Sequence, residues 1–327
     1  MSLRRAPVRV CGLLCIAVSL AGCGASELPD GGNAAPAPTS RTSTTSSGST
    51  ATASLPTAVT WRTATSDAVP TIVAIDPAID DLIVIEDGRP RPLHVLDAVP
   101  NRSAAHVFGA IAISAEQTYF TVWQGDPATP SIWKVPLAGG RATKFADNAA
   151  NPAVSVDGQL IAFGAGVPVQ RLVVRELATG RERSAEVGRL GTMRWAPDGQ
   201  RIAITSWGED ASFVRIVDVD ATGLRVGELW GNRALGSPVW LDNTSMLATD
   251  ANGGGANAPP FIVDVSPLGM RRLEGLPYFT CVDVSRSTGR LLGIVQQGTS
   301  PGDLQISRPN GQIESLSISV SYAQWAA

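Results

Sequence analysis

The segment Gly298-Thr299-Ser300-Pro301-Gly302 matches the G-x-S-x-G pattern, which places a nucleophilic serine on a sharp turn. In that pattern the residue after the serine donates its main-chain N–H to the oxyanion, and Pro301 has no N–H. The two histidines, His94 and His106, also precede Ser300, whereas the pattern needs a histidine after the serine. We therefore expect a loop here, with no catalytic serine.

Possible metal and phosphate sites fail on spacing. The run Asp218-Val219-Asp220-Ala221-Thr222-Gly223 begins like a calcium loop, but its twelfth position is Leu229 where a bidentate glutamate is needed. The two histidines are not at metal-ligand spacing and have no cysteine pair beside them. Gly253-Gly254-Gly255 is not followed by Gly-Lys-Ser/Thr, so it is not a phosphate loop. The sequence predicts no catalytic residue, no metal site and no cofactor.

The N-terminal segment carries a residue that can be modified covalently. Three arginines precede an apolar stretch over residues 10–21, which is too short to span a bilayer comfortably. The stretch leads into Leu20-Ala21-Gly22-Cys23, which resembles the lipobox of bacterial lipoprotein signal peptides. The resemblance implies cleavage between Gly22 and Cys23, with a diacylglycerol thioether on the Cys23 sulfur. The alternative is an ordinary secretory signal in which the cysteine occurs by chance.

Lipid attachment would decide the fate of the cysteines and the location of the protein. Cleavage removes Cys11 and Cys15, and the lipid occupies Cys23. Cys281 is then left alone, so we expect no intrachain disulfide. Two or more acyl chains attach a protein stably to a membrane, whereas one chain does so only marginally. We expect residues 1–22 to be a signal peptide, and the mature protein to be exported and anchored to the outer face of the cell membrane.

Residues 23–57 are rich in Ala, Ser, Thr, Pro and Gly and show no apolar periodicity. This composition is typical of a disordered tether, whose root-mean-square reach at this length is roughly 30 Å. The remaining chain, residues 58–327, can build a core, because hydrophobic residues make up 44% of the sequence and charged residues 17%. The net charge of −3 argues against a nucleic-acid partner.

Two hairpin turns alternate along residues 58–327. The first is clearest in Trp195-Ala196-Pro197-Asp198-Gly199-Gln200-Arg201-Ile202-Ala203, where Pro197 and Asp198-Gly199 supply the turn. Its other copies centre on Ala115-Glu116-Gln117, Asp157-Gly158, Asp242-Asn243 and Thr288-Gly289. The second turn ends six times in a glycine, at Gly88, Gly140, Gly180, Gly223, Gly269 and Gly311. These glycines are spaced by about 40 to 52 residues, close to the period of four-stranded propeller blades.

The Asp198-Gly199 and Asp157-Gly158 copies resemble the repeat of TolB-type β-propellers, which are WD-like. The resemblance covers the whole domain as a period and implies an all-β propeller of four-stranded blades. Six second-type turns predict six blades, and seven remain open. Val59-Thr60-Trp61 and Tyr322-Ala323-Gln324-Trp325 both look like innermost-strand segments. We expect one of them to close the ring by completing a blade with residues from the other terminus.

The tryptophans fall into two groups. Trp61, Trp195, Trp240 and Trp325 recur at one place in the repeat, which predicts core positions. Trp123 and Trp207 instead end the second strand of a repeat, so the loops that follow them would leave one common face. Indole rings there could bind a peptide or a sugar, or could pack between blades.

These observations favour a membrane-anchored, extracytoplasmic propeller that binds a protein partner. The TolB-type resemblance implies a scaffold or accessory role in the cell envelope, with an envelope protein or peptide as partner. Two other functions stay open: an enzyme, such as a lyase or hydrolase, with its site at the mouth of the central channel, and a sensor domain for a small ligand.

Overall fold

A computed structural model describes the chain over residues 70–100, 105–125, 127–166, 171–207, 212–229, 235–250, 260–265, 268–272, 280–285, 288–295, 302–307 and 312–326. The predicted signal peptide, Cys23, the predicted tether and Val59–Trp61 lie outside these residues. So do Gly253–Gly255 and Ser300.

The described residues form β-strands joined by turns and loops, as the alternating turns predict. In chain order the strands are β1 Ile72–Asp76, β2 Asp81–Glu86, β3 Arg89–Pro92, β4 Ala105–Ile113, β5 Gln117–Gln124, β6 Thr129–Pro136, β7 Thr143–Asp147, β8 Ala149–Val154, β9 Leu160–Ala165, β10 Arg171–Glu176, β11 Glu182–Glu186, β12 Arg189–Trp195, β13 Arg201–Trp207, β14 Ser212–Val219, β15 Leu224–Leu229, β16 Leu235–Trp240, β17 Ser245–Asp250, β18 Phe261–Val265, β19 Leu268–Arg272, β20 Thr280–Val284, β21 Leu291–Val295, β22 Gly302–Ser307, β23 Ile313–Val320 and β24 Tyr322–Trp325. Within the described ranges the only helical segment is a short 3-10 helix at Val95–Ala98.

The strands form six four-stranded antiparallel sheets, which are the blades of a propeller. Blade 1 has the order β24-β1-β2-β3. Blades 2 to 6 each use four consecutive strands: β4–β7, β8–β11, β12–β15, β16–β19 and β20–β23. The innermost strands contact one another in the order β24, β4, β8, β12, β16, β20 and back to β24, so the ring is closed. The prediction of a six-bladed propeller is confirmed.

Both predicted turns occupy fixed places in the blades. The first turn joins the first and second strands of blades 2 to 6, and the second turn joins the third and fourth strands of blades 1 to 4. Gly311, the predicted second-turn glycine of blade 6, lies outside the described residues. At the first turn of blade 4, the N–H of Gly199 donates to the carbonyl of Ala196 at 3.0 Å, and Gly199 has a φ of +69°. The side chain of Asp198 accepts a hydrogen bond from the N–H of Gln200. Glycine supplies this left-handed conformation without steric cost. In blade 5 the second-turn glycine, Gly269, lies inside β19.

Ring closure uses the C-terminal segment. The strand Tyr322–Trp325 pairs antiparallel with β1, from Ile72 opposite Trp325 to Ile75 opposite Tyr322. This pairing completes blade 1 from both ends of the domain and confirms one of the two closures predicted. Blade 1 therefore lacks the first hairpin turn that the other five blades contain.

The core lies between the blades. On β1, Val73 and Ile75 pack toward blade 2, whereas Ile72 and Ala74 pack toward blade 6. Because each blade packs on both faces, its middle strands carry runs of buried apolar residues, as in β2 and β9. Outer strands differ: β11 alternates exposed and half-buried residues. This packing holds the innermost strands around the axis.

Candidate functional site

Trp123 and Trp207 both lie where the second strand of a blade meets the loop to the third strand. Trp123 is near the end of β5 in blade 2, and Trp207 ends β13 in blade 4. Strands alternate in direction within a blade, so the loops after second strands leave one face of the ring, here called the Trp207 face. The turns between first and second strands and between third and fourth strands leave the opposite face, here called the hairpin face. Blade 3 separates the two tryptophans on the Trp207 face.

Trp207 lies at the edge of a groove, and its side chain is half exposed, at 50%. The preceding residues of β13, from Ile202 to Ser206, are all buried. The groove has a volume of about 190 Å³ and is lined by Glu186, Val187, Gly188, Ser206, Trp207, Phe213 and Arg215. It therefore combines two aromatic rings with one acidic and one basic side chain, at the point where the chain passes from blade 3 to blade 4.

Two glycines lie beside the Trp207 indole, and one of them leaves room for it. Gly188 has a φ of +74° in the connection between β11 and β12. There the Ser206 hydroxyl donates to the carbonyl of Val187 at 2.9 Å. A Cβ atom at Gly191 would lie 2.8 Å from Nε1 of Trp207. The indole thus lies over Gly191 of the neighbouring strand, and a larger residue there would displace it.

Trp123 is half-buried and lies in a different environment. It is opposite His106 of β4 and Pro130 of β6. The Nδ1 atom of His106 is 2.6 Å from a carboxylate oxygen of Asp80, whose other oxygen accepts the N–H of Val107 at 3.1 Å. Asp80 has a φ of 51°, a left-handed conformation that is uncommon outside glycine. These contacts tie the loop of blade 1 to blade 2 beside Trp123.

A second concave site lies on the axis, toward the hairpin face, and of its lining residues only Trp195 and Trp325 are singled out from the sequence, as core positions. It is a cavity of about 290 Å³ formed mainly where innermost strands end. Its lining comes from blades 1, 2, 3, 4 and 6: Ile113, Ala153, Val154, Ser155, Val156, Arg194, Trp195, Asp283, Val284, Ser285, Gln324, Trp325 and Ala326. Apolar side chains form most of the wall, and five polar or charged side chains interrupt it.

The tryptophans predicted to be core residues are buried where the structure describes them. Trp195, Trp240 and Trp325 each end the innermost strand of a blade and point into the interface with the preceding blade. The indole N–H of Trp195 donates to the carbonyl of Ala153 at 2.9 Å, and that of Trp240 donates to the carbonyl of Arg194 at 3.0 Å. The Nε1 atom of Trp325 is buried and has no hydrogen-bond partner among the described residues.

Charged and aromatic groups meet beside the axial cavity. The Arg194 guanidinium donates to the Tyr322 hydroxyl and lies 5.5 Å from the centre of that ring. Burial raises the pKa of Tyr322, the Arg194 charge and hydrogen bond lower it, and the negative charge of Asp283 raises it, so that the net direction is upward. Tyr322 is therefore protonated at neutral pH. The Asp283 carboxylate accepts the main-chain N–H groups of Val284 and Trp325, each at 2.9 Å.

Metal-binding groups are absent from the part of the chain that the structure describes: no three His, Cys, Asp or Glu side chains are grouped to hold an ion. The two histidines lie apart, His106 against Asp80 and His94 at 3.8 Å from Asp81. Among the same residues, no helix has the length and apolar character needed to cross a membrane. Cys23 and the side chain of Cys281 lie outside the part of the protein that the structure describes.

No protein-family model matches this sequence, and no curated protein matches it. Solved structures do share its architecture. TolB from Acinetobacter baumannii is similar with a TM-score of 0.59 and 17% identity, over 80% of this chain and 67% of that one. A putative TolB from Agrobacterium tumefaciens is similar with a TM-score of 0.51 and 13% identity, over 80% of this chain and all 100% of that one. A chain of a nidogen/laminin complex is similar with a TM-score of 0.55 and 14% identity, over 79% of this chain and 99% of that one. At these identities the likeness shows the fold alone, and it confirms the TolB-like propeller.

Proposed function

We propose that this protein is an exported propeller, anchored to the membrane by lipid on Cys23, that binds a protein or peptide of the cell envelope on its Trp207 face. The observation that carries the proposal is the half-exposed indole of Trp207 beside an amphipathic groove. The structural likeness to two TolB proteins supports the fold on which the proposal rests.

The groove has the composition of a protein-binding hot spot. Trp and Arg are among the residues most enriched at positions that dominate interface energies, which lie in pockets surrounded by contacts that exclude water. Trp207 and Phe213 provide the apolar surface, while Glu186 and Arg215 give an approaching chain both signs of charge. An indole over Gly191 is also restrained before binding, so little side-chain entropy is lost when a partner covers it.

The N-terminal segment supports a location at the membrane. A tether over residues 23–57 would let the propeller sample a shell of roughly 30 Å around its lipid anchor. This reach suits contact with a partner in the same membrane or just beyond it. A dilute soluble partner would gain no comparable increase in local concentration.

Anchoring is tested by labelling cells with an alkyne fatty acid and comparing the wild type with Cys23→Ala. We expect label on the wild type only, a mature N-terminus at residue 23 carrying the lipid mass, and loss of the mature membrane-bound form in the variant. An unlabelled wild type, or a Cys23→Ala protein with an unchanged mass and unchanged membrane fractionation, would refute the anchor.

Partner binding is tested by placing a photoreactive amino acid in intact cells at position 186, which lines the groove beside Trp207 and leaves the indole in place. The matched control carries the same group at Met270, which is 43% exposed on the outer strand β19 of blade 5. We expect one discrete protein adduct from position 186 and none from position 270. Equal adducts from both positions, or no adduct from position 186, would contradict the assignment of this face.

A further inference from the structure

Building on the function proposed above, we infer that the groove beside Trp207 recognises an acidic side chain of the protein partner through the guanidinium of Arg215. The residue recognised is an aspartate or glutamate flanked by apolar residues. Arg215 lines the groove from β14 and is half-buried. Three features point to a carboxylate: the unpaired charge of Arg215, the direction of its side chain and the apolar groups around it.

Arg215 differs from the other half-buried arginines of blades 3 and 4. Each of those donates to an acceptor within the propeller: Arg175 to Glu182, Arg183 to the carbonyl of Asp220, Arg194 to Tyr322 and Arg201 to Asp198. The Nε atom of Arg215 is buried without an acceptor, and its other nitrogens have no hydrogen bond or ion pair within the described residues. Because this guanidinium has lost hydration without gaining a counter-charge, a carboxylate from a partner would stabilise it.

The Arg215 side chain is directed into the cleft between blades 3 and 4. Strand β14 pairs with β13 in a continuous register, so Phe213, Arg215 and Val217 share one face. Val217 packs with Leu172 of blade 3, which shows that this face is turned toward blade 3. Arg215 lies three residues inside β14, whose first residue is at the Trp207 face. An arginine stem can run along apolar surface and keep its charged end near water, which places the guanidinium in the groove.

Glu186 does not neutralise this cation. The two residues line the same groove, but among the described residues Arg215 forms no ion pair. Glu186 ends the outer strand β11 and is exposed, so its carboxylate keeps its hydration and its field is weakened by water. An incoming carboxylate therefore interacts more strongly with the half-buried Arg215 than with the exposed Glu186.

The apolar groups decide what carries the carboxylate. Phe213 and Val187 flank Arg215 in the groove, so they can contact the apolar neighbours of an acidic residue. The volume of about 190 Å³ is below the roughly 300–1,000 Å³ of small-molecule sites, which suits one or two side chains of a larger partner. Acidic motifs are recognised by arginines, whereas a terminal carboxylate is captured by clusters of main-chain N–H groups. The guanidinium therefore favours an acidic side chain within the partner over its C-terminus.

The experiment titrates acetyl-Leu-Glu-Leu-amide into the purified, ¹⁵N-labelled mature protein. It follows the Nε–H resonance of Arg215, assigned with Arg215→Lys, and the main-chain N–H resonance of Gly188, which also lines the groove. We expect saturable shifts of both resonances. The neutral peptide acetyl-Leu-Gln-Leu-amide should bind about tenfold more weakly or worse, because it offers no charge-assisted hydrogen bond.

Substitutions at Arg215 test its role, with Gly188 as the reporter. Arg215→Gln should bind the Glu and Gln peptides equally, and Arg215→Glu should instead prefer acetyl-Leu-Lys-Leu-amide. Should Arg215→Glu fail to fold, Arg215→Gln carries the test, since its side chain is neutral and polar. Arg225→Gln is the matched control: it removes an arginine of the same blade whose charge pairs with Asp218 at 2.9 Å, and it should keep the wild-type preference.

Three outcomes would overturn the inference: equal wild-type affinities for the Glu and Gln peptides, a preference for the Glu peptide that persists in Arg215→Gln, and tightest binding of acetyl-Leu-Gln-Leu with a free C-terminal carboxylate. The adduct from position 186 can still form in each case, so the proposed function would stand. A charge-dependent titration without that adduct would instead support the role of Arg215 and contradict the proposed function.

Discussion

Removing the last strand should open the ring. Deletion of residues 321–327 takes away the partner of β1, including buried Ala323 and Trp325. Loss of a packed tryptophan costs about 3–5 kcal/mol. The deletion also removes hydrogen bonds from the N–H of Ser321 to Ile75 and from the N–H of Ala326 to Thr71, each worth about 0.5–1.5 kcal/mol net. Together these losses reach about 4–8 kcal/mol, against a total stability of about 5–15 kcal/mol for a typical domain.

Chemical denaturation monitored by far-UV circular dichroism is the assay. We expect the truncated chain to unfold at a much lower denaturant concentration than the wild type, or to aggregate through the unpaired edge of β1. Restoration provides the control. Residues 321–326 inserted between Val69 and Pro70, joined to Pro70 by two glycines, would pair with β1 through the hairpin turn that blade 1 lacks. This rearranged chain should regain most of the lost stability. A truncated chain as stable as the wild type would refute closure by β24.

Three further predictions concern stability. Trp195→Phe should lower the free energy of unfolding by about 1–3 kcal/mol more than Trp325→Phe does, because only the loss of the Trp195 indole leaves a buried carbonyl, that of Ala153, without its donor. Equal losses would contradict the hydrogen-bond assignment. Gly199→Val should lower the free energy of unfolding by about 1–3 kcal/mol, because Gly199 has a φ of +69°. Gly223 has open space around it and no positive φ, so Gly223→Val should lower it far less. Similar losses in the two variants would show that the turn geometry is wrong. The hydroxyl of Ser155 lowers the pKa of Asp157 below the ordinary 3.8, so this carboxylate stabilises the fold above that pH, and the stabilisation is lost as pH falls through the lower pKa of the folded protein. Asp157→Asn should therefore make the free energy of unfolding fall less steeply at acid pH than in the wild type. An unchanged acid dependence would contradict this.

The sequence predicts the propeller because its period is local. Each blade repeats two turns whose glycines and aspartates have backbone requirements readable from residue type, as at Asp198-Gly199. Closure of the ring by Tyr322–Trp325 can also be predicted from the sequence, since this segment resembles the strands that end in Trp195 and Trp240. These features depend on a few neighbouring residues.

The axial cavity could not be predicted in the same way. Its wall takes residues from five blades that are far apart in sequence, and the types at equivalent positions differ. Whether an indole N–H is satisfied depends on the neighbouring blade, as the contrast between Trp195 and Trp325 shows. Likewise, exposure of Trp207 depends on the absent side chain of Gly191 across the strand pair. Such relations arise only when the strands are placed together.

The central claim, that the Trp207 face binds an envelope protein, is tested most directly by calorimetry with the partner identified by cross-linking. The purified propeller should bind it with an affinity that falls at least about tenfold in Trp207→Ala, a loss of about 1.4 kcal/mol or more. Val156→Ser, which changes an exposed residue on the hairpin face, should bind as the wild type does. Equal affinities for the wild type and Trp207→Ala would contradict the account.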